Sequence, residues 1–167
     1  TNDLVTRGIF GLVVYELLFG SQSPYDFPAS HYPNPYIDLY GHASFDAKLI
    51  TLYYLDYGDG VRVFDQSSSL FNPNGYISRT DAIVALLEAW NIPPDYTGSV
   101  SYSDIDSSHP FFGYINKAED LGFLDDAFPS SRLKGQIPIF KDELVHIIVE
   151  ITKSKYHPVS KSTLKNA

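Results

Sequence analysis

The chain of 167 residues contains no cysteine. That excludes disulfides, thiolate metal sites and a cysteine nucleophile, and leaves the compartment open. Basic residues are also scarce: 12 Lys and Arg stand against 20 Asp and Glu, for a net charge of -8 and a pI near 4.9. Four of those cations (Lys153, Lys155, Lys161, Lys165) lie in an acid-free stretch at the end. The preceding 152 residues therefore hold eight basic residues against all 20 acids. Such a body offers no basic face for phosphates, so no nucleic-acid partner is expected. Long apolar runs are missing too. The longest, Ile9 to Phe19, is interrupted by Gly11 and Glu16. It is well short of the roughly 20 residues of a spanning helix, so no membrane span is expected.

Aromatic residues are abundant, with 13 Tyr and 11 Phe. Tyrosine combines a stacking face with a hydroxyl, which suits sugar and protein contacts as well as cores. Tyr36 and Tyr102 are read as core.

Apolar periodicity and caps predict a mainly α fold. Three apolar helices are expected over about 6–19, 78–90 and 140–152. Thr6 is the predicted N-cap of the first and Gly20 its stop. Its side chains are apolar nearly all round, as in a helix central to its domain. The second opens on Ser78 and Asp81 at capping-box spacing and ends before Pro93 and Pro94. Leu144, Val145, Ile147, Ile148 and Ile151 mark the third. Two further helices are expected over about 43–55 and 110–121, with Pro110 at the first helical position and stops at Gly58 and Gly122. Long turn-rich loops join them, among them the run Asn72-Pro73-Asn74-Gly75.

The informative pattern is an internal repeat. Tyr36-Ile37-Asp38-Leu39 and Tyr102-Ser103-Asp104-Ile105 each read aromatic, any residue, Asp, aliphatic. A histidine follows each (His42, His109), then a helix. A glycine turn comes next, Gly58-Asp59-Gly60-Val61 or Gly122-Phe123-Leu124. Then comes Phe71-Asn72-Pro73 or Phe128-Pro129. Ile77-Ser78-Arg79-Thr80-Asp81 or Ile139-Phe140-Lys141-Asp142-Glu143 opens the closing apolar helix. Val5-Thr6-Arg7-Gly8 repeats that closing half ahead of both.

This ordered series resembles the S-layer homology repeat over about residues 5 to 152. The departures are an arginine motif that degrades along the chain, an insert from Ser21 to Pro35, and a last apolar helix with no following partner. The expected organisation is a closing half repeat over 1–35, repeats over 36–92 and 93–152, and a basic tail or linker over 153–167. The resemblance implies helix-loop-helix repeats in a pseudo-threefold bundle. It implies a non-catalytic, extracellular module on a bacterial cell surface or S-layer, which binds an anionic cell-wall polysaccharide or peptidoglycan-associated glycan.

In that family the motif arginines sit at grooves between repeats, so Arg7, Arg79 and Lys141 become the implied ligand contacts. Arginine suits the role because its planar fork grips a carboxylate through two parallel hydrogen bonds. His42 and His109 are turn or helix-start residues with a sugar contact as a second role. Asp38 and Asp104 are read as caps or as ties for their turns. The alternative function is a structural or assembly domain in contact with copies of itself or with other surface-layer proteins.

Other chemistries find no motif. The five histidines show no zinc spacing. Asp104-Ile105-Asp106 begins like a calcium loop but lacks the twelfth-position Glu, where Ile115 stands. Asp125 with Asp126, or Asp56 with Asp59, leaves only weak surface calcium binding. No cofactor is expected. No phosphate loop or nucleophile elbow is present, so no enzyme is expected.

Overall fold

The computed structural model describes residues 3–26, 33–40, 44–54, 64 and 68–158. His42, Gly58-Asp59-Gly60-Val61, the Asp56/Asp59 pair, part of the Ser21–Pro35 insert and most of the basic tail lie outside the described residues. The described residues are mainly helical, with five α-helices and no strand: α1 (Arg7–Phe19), α2 (Ser44–Tyr53), α3 (Arg79–Ala89), α4 (Phe112–Asp120) and α5 (Lys141–Lys153). A 3-10 turn over Pro24–Asp26 follows α1.

The caps explain the helix starts. Thr6 accepts the Ile9 N–H, and Ser78 accepts the Asp81 N–H, each through its side-chain oxygen from an extended backbone. At α5 the Glu143 carboxylate instead reaches back to the Phe140 N–H at 3.0 Å. α1 stops at Gly20, whose φ is 60°. α3 ends at Ala89, ahead of Pro93 and Pro94, because Asn91 turns left-handed at φ 52° and returns its N–H to the Glu88 carbonyl. Pro110 lies just outside α4, which starts at Phe112.

The chain forms two compact units. One spans Thr6–Gly75, where α1 packs on α2. Gly8 and Gly11 make that approach possible. A Cβ on Gly8 would lie 2.8 Å from the Phe45 ring, and one on Gly11 would collide with Leu49. Phe10, Tyr15, Leu49, Leu52 and Phe71 are its largest fully buried side chains. α1 is less enclosed than its composition predicts, since Ile9 is 47% exposed.

The other unit spans Tyr76–His157 with the residues up to Val5. Here α3 packs on both α4 and α5. Val5, Ile77 and Ile139, each two residues ahead of a motif cation, close a ring of hydrogen bonds. Val5 N–H donates to Ile139 at 3.1 Å, Ile139 to Ile77 at 3.0 Å, and Ile77 to Val5 at 3.1 Å. All three side chains are buried, so the ring lies in dry surroundings ahead of α3 and α5.

Candidate functional site

The aromatic-x-Asp tetrads and the motif arginines meet in each unit at one turn. In the Thr6–Gly75 unit, Asp38 accepts the Phe71 N–H at 2.9 Å and the Asn72 N–H at 2.7 Å, one on each carboxylate oxygen. Arg7 Nε donates to the Phe71 carbonyl at 2.7 Å. Its guanidinium lies 5.2 Å from the Phe71 ring centre and 5.5 Å from that of Phe64. In the Tyr76–His157 unit, Asp104 accepts the Leu133 and Lys134 N–H groups, both at 2.8 Å. Arg79 Nη1 donates to the Leu133 carbonyl at 2.9 Å and stands 4.9 Å from the Phe128 ring centre.

The backbone around each clamp repeats as well. Arg7 N–H donates to Gly75, and Arg79 N–H to Ile137. Gly8 N–H reaches Pro73, and Thr80 N–H reaches Gly135. The clamped turn residues Asn72 and Lys134 both have left-handed φ, 57° and 52°. Asparagine tolerates that region better than lysine, so the second turn is the more strained and needs its clamp more.

Asp38 and Asp104 thus tie down turns about thirty residues away in sequence, not the helices directly after them. Burial opposes the charge on Asp104, but the Lys134 and Leu133 amides outweigh it and hold its carboxyl below the usual range. Tyr102, whose hydroxyl donates to the Phe128 carbonyl, is pushed up to about 12 by burial and then by the carboxylates of Glu119 and Asp125.

The three motif cations differ in their surroundings. Arg79 is committed: besides Leu133, its Nε donates to Glu143 Oε2 at 3.1 Å and its Nη2 to Oε1. Arg7 is part-buried and, among the described residues, has no carboxylate against it. Lys141 is exposed and pairs with Asp3 at 3.2 Å. His109 lies at the start of α4, where its Nδ1 accepts the Phe111 N–H at 3.2 Å. In the Tyr76–His157 unit, Arg79 and Lys141 both sit at helix starts, and His109 belongs to the α4 turn.

Sequence reasoning missed one feature. A shallow, open cleft of about 300 Å³ is lined by Ser99, Val100, Ser101, Asn116, Glu119 and Asp120. One of its two carboxylates, Glu119, is spent on Ser101, whose N–H it accepts at 3.0 and 3.1 Å. The Ser-Val-Ser run ahead of the second Asp tetrad was its only signal. Among the described residues no group of three His, Asp or Glu could hold a metal ion, and no helix is long and apolar enough to cross a membrane.

Residues 101–136 match the family model described as the S-layer homology domain, a cell-wall anchoring module. The match covers the Asp104 tetrad, α4 and the clamped turn at Leu133 and Lys134. No curated protein and no solved structure matches the chain.

Proposed function

We propose that this chain is a non-catalytic anchoring module of the bacterial cell surface that binds an anionic cell-wall polysaccharide or peptidoglycan-associated glycan. The S-layer homology match over residues 101–136 carries the reading. Its support is the reproduction of the same Asp–Arg clamp at Asp38, Arg7 and Phe71, outside the matched segment. On this reading the repeats run 36–92 and 93–152, after a closing half repeat over 1–35.

Arg7 is the leading ligand contact, because no carboxylate neutralises it among the described residues and its fork suits a carboxylate on a sugar. Arg79 serves chiefly as a clamp, with Glu143 already taking its fork. Lys141 adds an exposed point charge, and His109 and His42 stand as sugar contacts. Cosedimentation with purified wall sacculi, intact and stripped of their polysaccharide, tests the reading. Binding lost on stripping supports it, and no binding to any wall fraction contradicts it.

A second reading, an assembly domain in a surface layer or filament, is favoured by one observation. Val145 and Val149 on α5 are 56% and 40% exposed.

A further inference from the structure

α2 and α4 hold equivalent positions, counted from Asp38 and Asp104, yet one face of each carries different chemistry. Ile50 of α2 is buried, and Asn116 of α4, at the same position, is 8% exposed. The repeat therefore accepts an apolar side chain there, and the buried amide is particular to the second repeat. Further along, Tyr53 and Tyr54 are replaced by Glu119 and Asp120. The Tyr54 hydroxyl donates to the Pro33 carbonyl at 2.6 Å, tying helix to preceding loop. Asp120 and Ser99 stand at those two positions in the second repeat, and both line the open cleft of about 300 Å³.

The side-chain groups left free in this cleft are chiefly acceptors. The Asn116 amide nitrogen donates to the Asp95 carbonyl at 3.0 Å and to the Thr97 carbonyl at 2.5 Å. Those bonds fix the amide orientation and leave Oδ1 without a donor among the described residues. Thr80 Oγ1 is the only fully buried side-chain oxygen or nitrogen without a partner among the described residues. The Asn116 oxygen therefore reaches solvent, in a residue that lines the cleft. Asp120 is exposed and has no partner among the described residues, and Glu119 keeps lone pairs beyond those given to Ser101. Lys117 acts on Asp95 and does not line the cleft. Two carboxylates and an amide oxygen at one opening call for a cationic donor. A primary ammonium brings three N–H groups, one for each acceptor. A metal ion fits less well, since among the described residues no group of three His, Asp or Glu could hold one.

Tyr96 indicates what carries the ammonium. Its ring lies on Gly113, one helical turn before Asn116, where a Cβ would come within 2.7 Å of it. Asn116 binds the carbonyls on both sides of Tyr96 in the chain, which holds this ring next to the cleft. The tyrosine is 64% exposed, and an open aromatic face beside hydrogen-bond acceptors suits the apolar face of a sugar ring. We propose that the cleft binds an amino sugar with a free ammonium group. Asn116 Oδ1, Glu119 and Asp120 hold the ammonium, and Tyr96 supports the sugar ring. The proposal goes beyond the anchoring reading and does not rest on Arg7.

Amide NMR of the full chain, following the Asn116 side-chain NH2 pair and the backbone of residues 95–101, tests this. The probes are glucosamine, N-acetylglucosamine and butylamine, at about pH 6 so that the free amines are protonated. Glucosamine is expected to give a saturable shift in the millimolar range. N-acetylglucosamine, which lacks the charge, and butylamine, which lacks the ring, should each bind more weakly. Asp120→Asn should weaken glucosamine binding about three- to fivefold, and Tyr96→Ala by a similar factor, with melting temperatures recorded to show that both variants fold. Four results overturn the proposal: no saturable glucosamine shift, equal affinity for N-acetylglucosamine, equal affinity for butylamine, or unchanged affinity in Asp120→Asn. Wall cosedimentation of the unaltered protein reports separately on the anchoring reading.

Discussion

Arg79 and Glu143 are joined at two points, Nε to Oε2 at 3.1 Å and Nη2 to Oε1, with both side chains largely buried. Glu143 Oε2 also holds the Phe140 N–H, so one carboxylate ties the second arginine motif to the start of α5. Removing one partner leaves the other charge in partly dry surroundings. Glu143→Ala is expected to destabilise the Tyr76–His157 unit by about 3 kcal/mol. Urea unfolding of Arg79→Ala, Glu143→Ala and the double variant measures the coupling. The double variant should cost clearly less than the sum of the two singles.

Asp104 holds two amides of a left-handed turn. Asp104→Ala should cost about 2 kcal/mol, since both N–H groups lose a charged acceptor. Its folded carboxyl titrates below the ordinary range, so it stabilises the fold fully above the unfolded value of about 4 and less as pH falls through the folded value. Thermal melts of the wild type and of Asp104→Asn should therefore differ most near neutrality and converge on acidification below about pH 4. A gap that widens in acid would contradict the clamp.

Gly11 tests the packing of α1 on α2. Alanine improves helix propensity by up to about 1 kcal/mol, whereas a Cβ there runs into Leu49. Overpacking of this kind costs about 1–3 kcal/mol. The expected net effect of Gly11→Ala is destabilisation, read as a lowered melting temperature. Gly20→Ala is the contrast: nothing lies near its Cβ position, and its cost comes only from the positive φ.

Much of the local structure was legible in the sequence. Thr6, Ser78 and Gly20 cap where the pattern predicts, because capping involves neighbours only three or four residues apart. The end of α3 falls within one residue of the expected position, at Ala89, and the left-handed Asn91 makes the turn ahead of the prolines. The clamps were half legible. The Asp tetrads and arginines stood out as motifs, yet their partners Phe71, Asn72, Leu133 and Lys134 are reached only through the fold. For the same reason nothing local distinguished Arg79 from Arg7. The difference lies in Glu143, 64 positions along the chain.

The anchoring reading rests most directly on Arg7. Binding of full-length wild type, Arg7→Lys and Arg7→Ala to purified wall sacculi should be measured, with helicity and melting temperature recorded for each. Loss of a charge-assisted contact predicts about tenfold weaker binding for Arg7→Ala. Arg7→Lys should fall between that variant and wild type, because it keeps the charge without the fork. Wild-type binding that Arg7→Ala reproduces unchanged, or no wild-type binding at all, would contradict the account.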